Sequence, residues 1–154
     1  YAFATQVVEV EVDTLTGEVE VSKVVAAHDV GKAINPENVR GQVLGGVAMG
    51  LGFALMEEFV PNRTESLKDY HIPTFSDMPA VEAIIVEDTE PTGPYGAKGV
   101  GEPALIPTAP AIVNAIADAL ETRICELPAS LELVLKAALV KSEPKLDIHK
   151  HRRT

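Results

Sequence analysis

The chain has 154 residues, of which 46% are hydrophobic, and it carries a formal net charge of −10. This length and hydrophobic content are sufficient for a core of ordinary size and argue against a disordered chain. The acidic balance argues against nucleic acid or an anionic membrane surface as the main partner, because both are bound through clustered Lys and Arg. No stretch of about 18 apolar residues is free of charge, so no membrane span is predicted.

The first thirty residues predict a β-hairpin. Val8, Val10 and Val12 alternate with acidic residues, and Val19 and Val21 repeat the pattern after the sequence TLTG. Period-two alternation on both sides of a glycine-containing turn is typical of two antiparallel strands with one solvated face. The sequence VVAA then indicates that the second strand enters a core.

A glycine-rich helix is predicted next. Asn35 and Pro36 are typical of a helix start, and Glu37 lies near the positive end of the helix dipole. Within residues 39–59, apolar residues and glycines recur at helical spacing, and five of the residues are glycines. Each glycine costs roughly 0.5–1 kcal/mol relative to alanine inside a helix. We therefore expect these glycines to permit close approach, either by another helix or by a ligand.

The remainder of the chain predicts a loop, a strand and two helices. Prolines interrupt residues 61–79, and AVEAIIVED is typical of a short strand with residues 84–86 buried. Helices are predicted from PAIVNAIADAL and from ELPASLELVLKAAL, the second capped near residues 128–130. The fold class is therefore α+β, with an N-terminal β-hairpin or sheet packed against helices. Residues 1–141 form one unit, and residues 142–154 form a charged C-terminal tail.

The segment GAKGVGEP, residues 96–103, contains the most unusual carboxylate of the chain, Glu102. Its glycines are suited to cradling an anion with backbone N–H groups, helped by Lys98, although the segment is neither a P-loop nor a dinucleotide fingerprint. Pro103 holds Glu102 toward an extended conformation. In apolar surroundings such a carboxylate has a raised pKa and serves as a general base. An ordinary solvated or capping glutamate is the alternative.

Histidine and cysteine predict no metal site built from side chains. The four histidines are scattered, and none forms an i, i+4 pair with a matching carboxylate. His28 and Asp29 resemble two members of a catalytic triad, but no serine lies on a nucleophile elbow, so a structural histidine is favoured. The single cysteine, Cys125, cannot form an internal disulfide or hold an iron–sulfur cluster alone. It is consistent with a reducing compartment, and we expect a cytoplasmic protein.

Four segments together resemble the molybdenum hydroxylases, the molybdopterin-binding subunits of the xanthine dehydrogenase and aldehyde oxidase family. They are HDVGKAINP, GQVLGGVAMGLGFALMEE, YHIPTFSDMP and AKGVGEPALIPTAPAIVNAI, in the order of that family. The resemblance covers residues 2–119. It implies that the chain corresponds to the C-terminal part of a molybdopterin-binding subunit that is several times longer.

The resemblance also implies a cofactor and its contacts. The cofactor is molybdenum-molybdopterin, with the cytosine dinucleotide form as an alternative, and the metal is held by the pterin and not by side chains. Glu102 matches the active-site base, and Gln42 matches a glutamine that contacts the pterin. Met49 departs from the glutamine that many relatives carry there. The loop expected to approach the cofactor consists of Lys98, Gly99, Val100 and Gly101.

The implied function is hydroxylation of an aromatic heterocycle or an aldehyde, with water as the oxygen source. The implied partners are the remaining part of the molybdopterin subunit, iron–sulfur and flavin (FAD) subunits or domains, and a small-molecule substrate. We expect the chain to be inactive without them. The alternative is a non-catalytic interaction or assembly module that retains the fold, and the intact GVGEP motif favours the enzyme.

Overall fold

The computed structural model describes residues 1–142 as one three-stranded sheet with three α-helices. The strands are β1 (Ala4–Val12), β2 (Val19–Asp29) and β3 (Ala80–Val86), and the helices are α1 (Pro36–Leu55), α2 (Thr108–Leu120) and α3 (Leu131–Ser142). The predicted α+β class is confirmed. Residues 143–154, nearly all of the predicted tail, lie outside the described residues. None of the described helices is long and apolar enough to cross a membrane.

The strands are arranged in the order β1-β2-β3. β1 and β2 pair antiparallel from Ala4 opposite His28 to Val12 opposite Val19, which confirms the predicted hairpin. The Asp13 carboxylate closes the turn by accepting the backbone N–H groups of Leu15 and Thr16. β3 pairs parallel to β2 on the other side, so the long segment between them, including α1, crosses from one end of the sheet to the other.

Helix α1 begins where the sequence predicts and ends earlier. The side-chain oxygen of Asn35 accepts the N–H of Asn38 at 3.1 Å, and Pro36 occupies the first turn. The prediction that helical structure continues to residue 59 is wrong. The N–H groups of Met56 and Glu57 both donate to the carbonyl of Gly52, so the regular i to i−4 ladder stops there.

The glycines of α1 serve two different purposes. A Cβ at Gly46 would lie 2.6 Å from the carbonyl carbon of Ala104, and a Cβ at Gly50 would lie 2.4 Å from the Cβ of Thr108. These two positions allow α1 to pack against the turn that precedes α2 and against the first residue of α2. A Cβ at Gly41 or Gly45 would meet nothing within 4 Å. Close packing therefore explains Gly46 and Gly50, whereas Gly41 and Gly45 leave an open surface on the helix.

The core lies between the sheet and the helices. Its buried members come mainly from β2, α1, α2 and α3, and they include Val24, Ala26, Val43, Val47, Leu51, Ile112, Ile116, Leu120 and Val134. The prediction that residues 84–86 are all buried is wrong, since Ile84 and Val86 are each 43% exposed. Successive side chains of a strand point to opposite faces. Only one face of β3 is covered by the described residues.

We expect Gly46→Ala to lower the free energy of unfolding by about 1–3 kcal/mol, because the added methyl group has no space beside Ala104. The matched control is Gly45→Ala, one residue earlier in the same helix, where the added methyl group meets open space. It should be neutral or stabilising by about 0.5–1 kcal/mol. Urea denaturation of the cofactor-free protein measures both. Equal effects at the two positions would contradict the close contact between Gly46 and Ala104.

Candidate functional site

The segment after β2 and the glycine-rich segment before Glu102 lie side by side. The N–H of Lys98 donates to the carbonyl of Val30 at 2.9 Å, and the N–H of Lys32 donates to the carbonyl of Gly96 at 2.7 Å. The motifs HDVGK and GAKG, which are more than 60 residues apart in the sequence, therefore form one unit.

Gly31 allows the two segments to come this close. Its φ is +62°, in the left-handed region that favours glycine. A Cβ at this position would lie 2.4 Å from the carbonyl oxygen of Gly96 and 2.9 Å from the backbone nitrogen of Lys98. A side chain at residue 31 would force the segments apart.

An ion pair with little solvent exposure joins the same two segments. The Nζ of Lys98 lies 2.5 Å from an Oδ of Asp29, and these side chains are only 9% and 7% exposed. The other Asp29 oxygen accepts the N–H of Gly31 at 3.0 Å. The hydrogen bond from Lys98, followed by that from Gly31, lowers the pKa of Asp29. The bond to Asp29 is also the main cause of the raised pKa of Lys98.

The partners of Lys98 limit the charge that it can offer to a ligand. Its ammonium group also lies 3.4 Å from the exposed carboxylate of Asp88. Because both of its neighbours are carboxylates, the charge is already compensated within the chain. Any contribution of Lys98 to a ligand site is therefore expected from its aliphatic stem more than from free positive charge, since its N–H already donates to Val30.

The loop after Lys98 presents unpartnered backbone donors. Gly99, Gly101 and Glu102 are exposed, and a Cβ at either glycine would meet nothing within 4 Å. Among the described residues, no acceptor bonds the N–H groups of residues 99–102. Consecutive free N–H groups on an accessible loop fit a ligand with several acceptor atoms, such as a pterin or a phosphate group.

Glu102 has a constrained backbone and an accessible carboxylate. Its carbonyl accepts the N–H of Leu105 at 2.9 Å and that of Ile106 at 3.2 Å, so residues 102–106 form a turn that leads into α2. The carboxylate makes no hydrogen bond or ion pair with the described residues, and the residue is exposed. The described residues therefore do not supply the apolar surroundings expected for a general base.

Gln42 lies beside this loop. It is exposed on α1 and lines a cleft of about 210 Å³ together with Asn38, Lys98 and Val100, which we call the Gln42 cleft. The open positions Gly41 and Gly45 lie on the same helix, one residue before and three residues after Gln42. The structure thus brings together Gln42, Lys98 and Val100, three of the predicted cofactor-binding residues.

A buried polar pair lies under the turn that follows Glu102. His28 is 1% exposed, as expected for a structural histidine. The Nε2 of Gln6 donates to the carbonyl of Ala104 at 3.1 Å and lies 3.3 Å from the Nε2 of His28. A neutral ring that accepts from Gln6 at Nε2 carries its proton on Nδ1, which is buried and has no partner among the described residues. Burial lowers the pKa of His28, which favours this neutral form.

The role of Gln6 and the partner of Lys98 were not predicted from the sequence. One signal for Gln6 was available, since it occupies an inward position of β1, in phase with Val8 and Val10. A polar residue on the apolar face of a strand requires a partner. No local signal pairs Lys98 with Asp29.

Met49 lies in a larger apolar groove between α1 and the segment around α2. This groove has a volume of about 710 Å³, and Phe53, Leu105 and Ile106 line it with Met49. Met49 is 61% exposed. Met49 therefore adds an apolar side chain to an apolar surface. Among the described residues, no three His, Cys, Asp or Glu side chains cluster as metal ligands.

The chain is similar to known molybdenum proteins. Residues 1–79 match the family described as the molybdopterin cofactor-binding domain. A probable xanthine dehydrogenase subunit of Bacillus subtilis is 43% identical over 141 residues, covering 89% of this chain and 19% of that subunit. The aldehyde oxidoreductase molybdenum-binding subunit PaoC of Escherichia coli is 39% identical over 140 residues, covering 86% of this chain and 19% of that subunit.

A solved structure gives the same result for the fold. The aldehyde oxidoreductase of Desulfovibrio gigas superposes with a TM-score of 0.85 at 36% identity, covering 90% of this chain and 15% of that one. The chain therefore spans less than a fifth of the length of each of these three relatives.

We expect the protein to lose stability as the pH falls from about 7.5 to about 5.5, in part because of His28. Its folded pKa is lowered, so below about 6.5 the unfolded imidazole binds more protons and unfolding is favoured. His28→Gln keeps an uncharged acceptor toward Gln6 and should lose less stability over this range. Thermal unfolding at several pH values measures the difference, with the exposed His71→Gln as control. Identical dependence of the unfolding temperature on pH in wild type and His28→Gln would refute the predicted contribution of His28.

Proposed function

Because the chain belongs to the molybdopterin cofactor-binding domain family, we propose that it is part of a molybdenum hydroxylase and supplies its glutamate base and one wall of its pterin site. The observation that carries this proposal is the loop of residues 98–102. There an accessible carboxylate with a constrained backbone directly follows a run of unpartnered N–H groups, beside the cleft that contains Gln42.

The residues of this wall suit the cofactor. The free N–H groups of the loop donate to acceptor atoms of the pterin or its phosphate, and the amide of Gln42 offers both a donor and an acceptor. The open positions at Gly41 and Gly45 let a planar group approach the helix backbone. We propose molybdenum-molybdopterin as the cofactor, in its simple or cytosine dinucleotide form, and when bound it supplies the redox chemistry of the reaction.

The proposed role of Glu102 is proton transfer. A general base has to lie within hydrogen-bond reach of the proton it removes, which requires a fixed backbone and a free carboxylate. Glu102 has both. The apolar surroundings that tune such a group would come from parts of the subunit outside this chain.

The proposed reaction is hydroxylation of an aromatic heterocycle or an aldehyde, with water as the oxygen source. The names of the two relatives support these substrate classes, since one refers to xanthine and the other to aldehydes. The substrate itself is a small molecule that reaches the Glu102 carboxylate.

The proposed partners are the remaining part of the molybdopterin subunit together with iron–sulfur and flavin subunits or domains. One cysteine in the whole chain is too few to hold an iron–sulfur cluster, so electrons would leave through other chains or domains. Cys125 is free and exposed, and we propose the cytoplasm as the location.

The alternative function is assembly without catalysis. It is favoured by the apolar groove, where Met49, Phe53 and Ile106 are all more than half exposed. Apolar surface of this kind is typical of a contact with other protein. Glu102 distinguishes the two functions, because an assembly module has no use for its carboxylate.

We expect Glu102→Ala in the complete subunit to lower turnover by about 10²–10⁴-fold, since a general base is lost. Molybdenum and pterin content should remain at the wild-type level, because the residue is not proposed as a ligand. Steady-state kinetics with metal and pterin analysis measure both, and the exposed Glu58→Ala is the matched control. Near-normal turnover of Glu102→Ala would refute the enzymatic role and leave the assembly function.

We expect Gln42→Ala to weaken retention of the cofactor, because one side-chain donor and acceptor is removed from the Gln42 cleft. Pterin content after extensive dialysis is the measurement. The control is Arg40→Ala, two residues earlier on the same helix, where the side chain pairs with Glu37. A pterin content equal to that of wild type would argue against the role of Gln42.

A further inference from the structure

We propose that His28 and Asp29, neighbouring residues at the end of β2, act as positioning residues for Glu102 by holding the two ends of its loop. The Glu102 loop is defined here as residues 98–104. The inference rests on the proposed function of Glu102 as the base and adds the device that places it.

Asp29 holds the beginning of the loop. Its carboxylate pairs with the Lys98 ammonium at 2.5 Å, and neither side chain is more than a tenth exposed. The backbone supports the same contact, since the N–H of Lys98 donates to the carbonyl of Val30. A charge with little access to water requires its partner, because moving either group away would leave an uncompensated charge. Residue 98 is therefore held in one position.

His28 holds the end of the loop through Gln6. The side-chain nitrogen of Gln6 donates to the carbonyl of Ala104, and the neutral His28 ring lies within hydrogen-bond distance of the same nitrogen. The arrangement orients the Gln6 amide, because its opposite edge would present an oxygen to the Ala104 carbonyl. Ala104 itself is fully buried against Gly46.

Between the two anchors, Lys98 and Ala104, the backbone makes few hydrogen bonds of its own, and the Glu102 carbonyl bonds only to the N–H groups of residues 105 and 106. Among the described residues, no acceptor bonds the N–H groups of residues 99–102, and two of these residues are glycines. Glycine has more backbone freedom than any other residue. The direction of the Glu102 carboxylate therefore depends on where residues 98 and 104 are fixed.

Consecutive side chains of a strand point to opposite faces, which explains how one dipeptide reaches both ends. His28 faces β1 and the turn after Glu102, and Asp29 faces the segment that precedes it. The Glu102 loop thus straddles the end of β2. The motif HDVG does not contain the proposed base, and in this arrangement its first two residues hold the loop that carries the base.

The test uses the complete subunit and compares Asp29→Asn with Asp88→Asn. Both variants remove a carboxylate from Lys98, but Asp88 is exposed and 3.4 Å away. In the cofactor-free subunit, Asp29→Asn should speed amide hydrogen exchange at Lys98 by about tenfold or more, because the local structure opens more easily. In the loaded enzyme it should lower kcat by about tenfold or more with KM nearly unchanged, because a misplaced base affects the transition state and not substrate binding. Asp88→Asn should match wild type in both.

A second variant keeps the test informative if Asp29→Asn does not fold. Gln6→Leu removes the donor to Ala104 without creating a buried charge, and it should lower kcat in the same way while pterin content is retained. The conservative variant Gln6→Asn, which keeps an amide, should recover part of the loss.

Three outcomes would overturn the proposal. In the cofactor-free wild type, a Lys98 amide that exchanges as freely as residues 99–102 would show that the first anchor does not hold. Faster amide hydrogen exchange at Lys98 in Asp29→Asn, together with a normal kcat, would show that the contact between Asp29 and Lys98 does not position the base. Equal losses in Asp29→Asn and Asp88→Asn would indicate a general charge effect. If Glu102→Ala abolishes turnover while these variants do not, the base assignment stands and only the positioning role fails.

Discussion

The ion pair between Lys98 and Asp29 is the constraint on which the arrangement of the site depends. Two opposite charges with little solvent access are tolerated only in contact, so the segment before Glu102 has to lie against the end of β2. The requirement for glycine at residue 31 follows from this close approach, because a side chain there would separate the two segments. One long-range contact thus determines where a glycine is required and where the loop begins.

The glycines of the chain illustrate how one residue type can serve opposite purposes. Gly46 and Gly50 allow α1 to meet the start of α2, and this brings Ala104 within reach of Gln6. Gly99 and Gly101 adjoin open space and leave backbone donors free. Close packing on one side of the loop and openness on the other are together what a rigid ligand-binding wall requires.

The exposed apolar surfaces fit a chain that spans less than a fifth of the length of the relatives described above. Met49 and Phe53 line the apolar groove, and one face of β3 exposes Ile84 and Val86. Surfaces of this kind are stabilised when other protein covers them. In the proposed enzyme, the same covering would enclose Glu102 and give its carboxylate the apolar surroundings that this chain does not provide.

The sequence by itself determined the local elements and the family. The alternating valines predicted the hairpin, Asn35 and Pro36 predicted the start of α1, and the four motifs indicated the molybdopterin-binding family. Each of these signals depends on residues that are neighbours in the chain, and the roles inferred for Glu102 and Gln42 remain proposals. Only the tertiary structure decided that β3 lies parallel to β2, that α1 stops at Leu55, and that Gln42 shares a cleft with the loop. It also decided that Lys98 pairs with Asp29. The two residues are 69 positions apart, and the energy of a contact between such distant residues depends on how the whole chain packs, which no local pattern records.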